Sequence, residues 1–121
     1  MTSAPQSASK APAAGGCEVT YTLLSQWQTG FQVGIAIKNT GSTELNSWTL
    51  KFTFPGNQQV SSLWNATYSQ SGEAMTLTNE SYNGTIPAGG VYSAVGFTGT
   101  YSGTNNPPAS FSVNGTACTT P

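Results

Sequence analysis

Residues 48–54 read WTLKFTF and residues 31–38 read FQVGIAIK, and in both stretches the apolar side chains fall on every second position. Trp48, Leu50, Phe52 and Phe54 alternate with Thr49, Lys51 and Thr53, while Phe31, Val33, Ile35 and Ile37 alternate with Gln32, Gly34, Ala36 and Lys38. A period of two sends successive side chains to opposite faces, so each stretch reads as a strand with one face in a core and the other in water. No window carries helical spacing.

Working outward, Val19, Tyr21 and Leu23 open the same pattern, and Met75 with Leu77 continues it weakly. Val91, Ser93, Val95 and Phe97, then Phe111 and Val113, close it. The separators NTGST, PGN, QSG, NGTIPAGG, SGTNNPP and NG are turn chemistry. Short strands with polar turns at this spacing predict an all-β fold, an antiparallel two-sheet β-sandwich of Ig-like or jelly-roll type with about eight or nine strands. One sheet face is then free to carry function.

A chain of 121 residues with 36% hydrophobic content fits one domain around one core. Residues 1–16, MTSAPQSASKAPAAGG, have linker composition without periodicity. The expected organisation is a linker or tail over 1–16, a β-sandwich module over 17–118 and a short tail over 119–121. A partner domain is expected on the N-terminal side of the linker.

Charge excludes several partner classes. The formal charge is -1, with three lysines and neither Arg nor His, so there is no basic stripe for nucleic acid or an anionic membrane. No apolar run is long enough to span a bilayer. The surface must stay wet through Ser, Thr, Asn, Gln and Gly, whose amides and hydroxyls suit neutral, hydroxyl-rich ligands. Cys17 and Cys118 sit at the two ends of the patterned region, and an even pair so placed points to a disulfide and an oxidising, extracellular compartment. A catalytic thiol or a metal site would need a His or a neighbouring Cys, which the chain lacks.

The aromatics separate by phase. Trp48 is in register with Leu50, Phe52 and Phe54 and belongs to the core. Trp27 lies at a turn, in SQWQTGF; Trp64 follows the better core candidate Leu63; Tyr82 lies in the loop ESYNGTIPAGG. Each ring alone could be a lid or a half-buried edge residue. Together they suggest a face, since an exposed ring offers a flat apolar surface to the axial C–H groups of a pyranose while neighbouring amides take its hydroxyls. Gln28, Asn65 and Asn83 are the amides directly beside the three rings.

Enzymatic chemistry has little to work with. Without His, Asp, Arg or a free Cys partner, the usual triads and metal sites are absent, and no cofactor is implied. Glu18, Glu44, Glu73 and Glu80 are the only carboxylic side chains, and they fall at a strand start, two turns and the Tyr82 loop. A glycosidase needs two carboxylates across a cleft, so these read as solvated turn residues. A β-domain that binds protein through the same aromatics is the remaining rival.

GGC, QWQTGF, SWTLKFTFPGNQQV, LWN, YNGTIPAGG and ASFSVNGTAC, taken in this order with the terminal cysteine pair, resemble the family 2 carbohydrate-binding modules of secreted bacterial enzymes that degrade plant walls and chitin. The resemblance runs from Cys17 to Cys118. It implies a Cys17–Cys118 disulfide, no catalysis, and an aromatic face of Trp27, Trp64 and Tyr82 that adsorbs to insoluble polysaccharide and targets a tethered catalytic domain. The family usually has Trp at the position of Tyr82, and Asn or Gln where this chain shows Ser25, Gly34, Ser62 and Thr98. GGVYSAVGF carries one extra residue against the family pattern. The xylan-binding branch has Arg at the position of Gly30, which turns the first tryptophan out of plane. Gly30 therefore implies crystalline cellulose first, chitin second and xylan a distant third.

Overall fold

The computed structural model describes residues 16–121, so the linker expected over 1–16 lies outside the described residues except for Gly16. Nine strands are present: β1 (Cys17–Gln26), β2 (Gly30–Asn39), β3 (Thr49–Thr53), β4 (Gln59–Trp64), β5 (Ala66–Ser71), β6 (Ala74–Asn79), β7 (Val91–Thr100), β8 (Phe111–Val113) and β9 (Thr116–Ala117). No helix occurs among the described residues. The strands form a four-stranded sheet in the order β1-β2-β7-β4 and a five-stranded sheet in the order β9-β8-β3-β6-β5. All pairings within the sheets are antiparallel.

The alternating residues meet between the sheets. Phe31, Val33, Ile35 and Ile37 of β2 face Leu50, Phe52, Met75 and Leu77 of β3 and β6 across one buried cluster, with Trp48 and Phe54 at the ends of β3. Aromatic rings interlock at its centre: Phe52 and Phe54 lie edge to face at 5.2 Å, and Phe31 meets Phe97 in the same way at 5.7 Å. Burial of such side chains contributes roughly 1.5–3 kcal/mol each, which is why strand phase fixes the fold.

Cys17 and Cys118 are bonded, closing a loop with a sequence separation of 101. The pairing extends past residue 118, where a tail was expected. The Thr119 carbonyl accepts from the Val19 N–H, and its own N–H donates to the Cys17 carbonyl, both at 2.9 Å. The β8–β9 hairpin turns through Asn114 and Gly115, both at positive φ (52° and 83°), the asparagine–glycine conformation that matches strand twist.

Bulges interrupt the four-stranded sheet, and they correct the simple alternation. On β7 the register steps from Ile35↔Val95 to Ile37↔Tyr92, so one more residue is spent on β7 than on β2. The bulge falls within GGVYSAVGF. It turns Tyr92 towards the core and leaves Val91, expected inside, exposed. Leu23 is likewise exposed, on the edge strand β1. The second bulge lies between Val60 and Ser62 of β4, and the third between Leu23 and Ser25 of β1.

Candidate functional site

The outer face of the four-stranded sheet is set by what its neighbours bury. Since Phe31, Val33 and Ile35 point inward, Gly30, Gln32 and Gly34 point outward. Register then lines up a rung of small polar side chains across all the strands: Ser25 with Gln32, Gln32 with Thr98, and Thr98 with Ser62. The adjoining rung runs Thr22, Gly34, Gly96, Trp64.

Trp64 reaches this face only because of the β4 bulge. Without an extra residue, Val60 and Trp64 would share a phase, and Trp64 would point into the core. Ser61 is unmatched in the register, so Val60 and Leu63 pack inward while Ser62 and Trp64 turn outward. Its indole then rests against Gly96 of β7, occupying the space that a Cβ would take: such an atom would lie 2.5 Å from Cζ2 and 2.7 Å from Cε2 and Nε1. Trp64 remains 38% exposed.

Trp27 follows β1 and is 49% exposed. Its N–H donates to the Gly30 carbonyl at 2.9 Å, and its carbonyl accepts from the Tyr101 hydroxyl at 3.0 Å, which fixes the turn. The indole sits on Gly30 as Trp64 sits on Gly96: a Cβ at Gly30 would overlap Nε1 and lie 2.5 Å from Cε2. Gly30 pairs with Thr100, four residues along β7 from Gly96, so the two supports are about 13 Å apart along the strand direction.

Tyr82 is 69% exposed and comes from the loop after β6. Its hydroxyl donates to Asn65 Oδ1 at 2.8 Å, and Asn65 Nδ2 donates to the Ala94 carbonyl at 2.7 Å. This tie holds the Tyr82 hydroxyl to the residue that follows Trp64, which is itself tied to Ala94, two residues from Gly96 along β7. Desolvation first, and then the Glu80 carboxylate, hold the Tyr82 hydroxyl above its ordinary pKa.

The amides beside the rings behave differently from one another. Gln28 is exposed at the Trp27 turn. Asn65, at positive φ, spends both ends of its amide inside the protein. Asn83 departs from the expectation of a ligand-facing amide, because it is only 5% exposed. Its Oδ1 accepts from the Glu80 N–H at 2.7 Å, and its Nδ2 donates to the Asn65 carbonyl at 2.7 Å and to the Tyr92 hydroxyl at 3.1 Å. The Asn83 carbonyl accepts from Trp48 Nε1 at 2.9 Å. Asn83 therefore holds the Tyr82 loop on the core. The polar side chains that do share the face with the rings are Ser25, Gln32, Ser62 and Thr98. Gln32 was visible in the sequence as an outward β2 residue, but its place between the two tryptophans depends on register.

Nothing in the remaining chemistry competes with this face. Glu44 and Glu73 are exposed in separate turns, Glu18 is in β1 and Glu80 is in the Tyr82 loop. Among the described residues no three His, Cys, Asp or Glu side chains come together as metal ligands would. The hollows lined by Lys51, Met75 and Phe111 and by Tyr21 and Pro108 lie away from the three rings.

Comparison with known proteins finds one matching family model and likenesses to parts of longer proteins. A family model described as "Cellulose binding domain" matches residues 17–118. Exoglucanase A of Cellulomonas fimi is 48% identical over 110 residues, which is 91% of this chain and 12% of that protein. Endoglucanase A of Thermobispora bispora is 47% identical over 92 residues, 76% of this chain and 20% of that protein. The chain thus spans only a small part of these relatives. In structure it is similar to the chitin-binding domain of Chi18aC from Streptomyces coelicolor, with a TM-score of 0.69 and 38% identity over 87% of this chain and 96% of that one.

Proposed function

Because this chain belongs to the cellulose binding domain family, the family 2 carbohydrate-binding modules, we propose that Trp27, Trp64 and Tyr82 are its contact residues and that they adsorb it to the flat surface of crystalline cellulose. The module is a non-catalytic, carbohydrate-binding β-sandwich. The observation that carries the proposal is a set of three exposed aromatics, two of them seated directly on glycines of the four-stranded sheet and the third tied to the residue after Trp64. A ring pressed to the backbone cannot project into a cleft, and it leaves a low surface that matches a flat polymer. On the scale of base–aromatic stacking, each platform supplies about 1–3 kcal/mol, so three reach roughly the micromolar range where one does not.

The polymer choice follows from Gly30. With no side chain there, the Trp27 indole has room against the strand, the arrangement suited to a flat chain rather than a twisted one. Chitin is the second reading, favoured by the likeness to a chitin-binding domain. Residues 1–16 are the linker to a catalytic domain on the N-terminal side, in keeping with the small fraction of its relatives that the chain spans. Tethering raises the effective concentration of that domain at its substrate without new chemistry. The Cys17–Cys118 bond supports secretion into an oxidising compartment.

Depletion from solution by microcrystalline cellulose, chitin and insoluble xylan tests the proposal. Cellulose is expected to remove most protein, and folded Trp27→Ala, Trp64→Ala and Tyr82→Ala variants are expected to adsorb less. Equal depletion of all four proteins would refute the assignment of the face. Release of soluble sugar would refute the non-catalytic role.

A further inference from the structure

Beside Trp64, on the same rung, the face carries another large apolar side chain. Leu24 is 57% exposed, on the opposite face of β1 from Val19 and Tyr21, which pack inward. The register steps from Leu23↔Val33 to Ser25↔Gln32, so Leu24 is the unmatched residue of a bulge. Leu24 has the outward phase of Thr20 and Thr22, and its side chain lies on the outer face, where a Cβ at Gly34 would meet Leu24 Cδ1 at 3.3 Å and Cγ at 3.8 Å. Gly34 is the register partner of Gly96, on which Trp64 rests.

Leu24 starts from the edge strand β1 and covers β2, while Trp64 starts from the opposite edge strand β4 and covers β7. Together they cross all the strands of the sheet, about 14 Å from edge to edge. This apolar band lies across the Trp27–Trp64–Tyr82 series and is wider than one pyranose. Resting on the reading of this face as a polysaccharide platform, we propose that Leu24 is a fourth contact residue, which takes the apolar face of a sugar in the polymer chain lying beside the one stacked on Trp64. The argument for that occupant is continuity: the Leu24 surface joins the Trp64 surface over two adjacent glycines, with no charged side chain on the rung between them. Leu24 starts from the β1 edge and Trp64 from the β4 edge, so in an ordered surface the chain that reaches Leu24 is the one on the β1 side of Trp64.

Adsorption isotherms on crystalline cellulose and on amorphous cellulose, whose chains do not lie side by side in register, test this for the native chain, Leu24→Ala, Leu24→Asn and Leu24→Met. Covering a half-exposed leucine predicts about fivefold weaker adsorption of Leu24→Ala and Leu24→Asn on the crystalline form and less than about twofold on the amorphous form. Leu24→Met is expected to match the native chain. Thermal melting checks that each variant is folded, and Leu24→Met keeps the test readable if the smaller side chains loosen β1. Unchanged crystalline adsorption of all variants overturns a contact role for Leu24. Equal losses on both forms overturn the neighbouring chain as its occupant. Failure of the native chain to adsorb to either form overturns the underlying reading itself, and Leu24 with it.

Discussion

Replacing Gly96 by alanine isolates the seat of one ring without touching the ring. Gly96 lies in the middle of β7 at an ordinary extended conformation, where alanine costs the backbone nothing and gains roughly 0.5–1 kcal/mol in unfolded-state entropy. The added Cβ, however, would stand 2.5 Å from Trp64 Cζ2 and 2.7 Å from Cε2 and Nε1. Carbon atoms settle at about 3.5–4.0 Å, so the indole must lift by about 1 Å or swing away, because the obstacle on the other side is backbone. Either movement changes the height at which Trp64 meets a flat surface. The loss approaches one stacking platform, about 1–3 kcal/mol, or about 5- to 150-fold in adsorption affinity. Isotherms on microcrystalline cellulose should therefore place Gly96→Ala close to Trp64→Ala, while its melting temperature stays at or slightly above that of the native chain. Native-like adsorption by a folded Gly96→Ala protein would show that the seat does not govern the ring's contact with polymer, and the structural argument for a level face would fail.

Other consequences concern stability. Asn83→Ala removes the acceptor of the Glu80 N–H and the donor to Asn65 and Tyr92 in a buried setting, so urea unfolding should show a loss of about 3 kcal/mol. An unchanged urea midpoint would contradict its anchoring role. The Tyr21 hydroxyl is buried without a hydrogen-bond partner among the described residues, and desolvation raises its pKa in the fold. The folded state then holds that proton where the unfolded chain releases it, so this stability is intact below about pH 10 and falls as pH climbs further. Tyr21→Phe should flatten the decline measured by denaturant titration between about pH 9 and about pH 11, with little cost near neutrality; an identical decline in both proteins would assign it elsewhere. Reduction of Cys17–Cys118 frees a loop with a sequence separation of 101, a loss of about 4.7 kcal/mol in the chain-entropy model and on the order of 20 °C in melting temperature. A melting temperature insensitive to reductant would mean that the terminal strands are held by their backbone pairing alone.

The sequence by itself determined the strands, the core and the chemical class of the surface. Alternation in WTLKFTF and FQVGIAIK is a local property, because a pleated strand repeats every two residues wherever it lies, and burial of Trp48, Phe31 and their partners follows directly. The absence of His, Asp and Arg was equally plain, and it limited the chemistry before any fold was known. Residue identity and turn position also picked out Trp27, Trp64 and Tyr82 as exposed. Only the tertiary structure decided how those side chains are arranged. A bulge is a mismatch between two strands and exists only once they pair, so the inward turn of Tyr92 and the exposure of Val91 were invisible in any single stretch. The same holds for Gly34 and Gly96, which are unremarkable as letters and become seats only when register sets each under a large side chain from another part of the chain. Asn83 shows the converse: it neighbours an exposed ring in sequence, yet its amide is drawn inward because the Glu80, Asn65 and Tyr92 groups that converge there must find partners away from water.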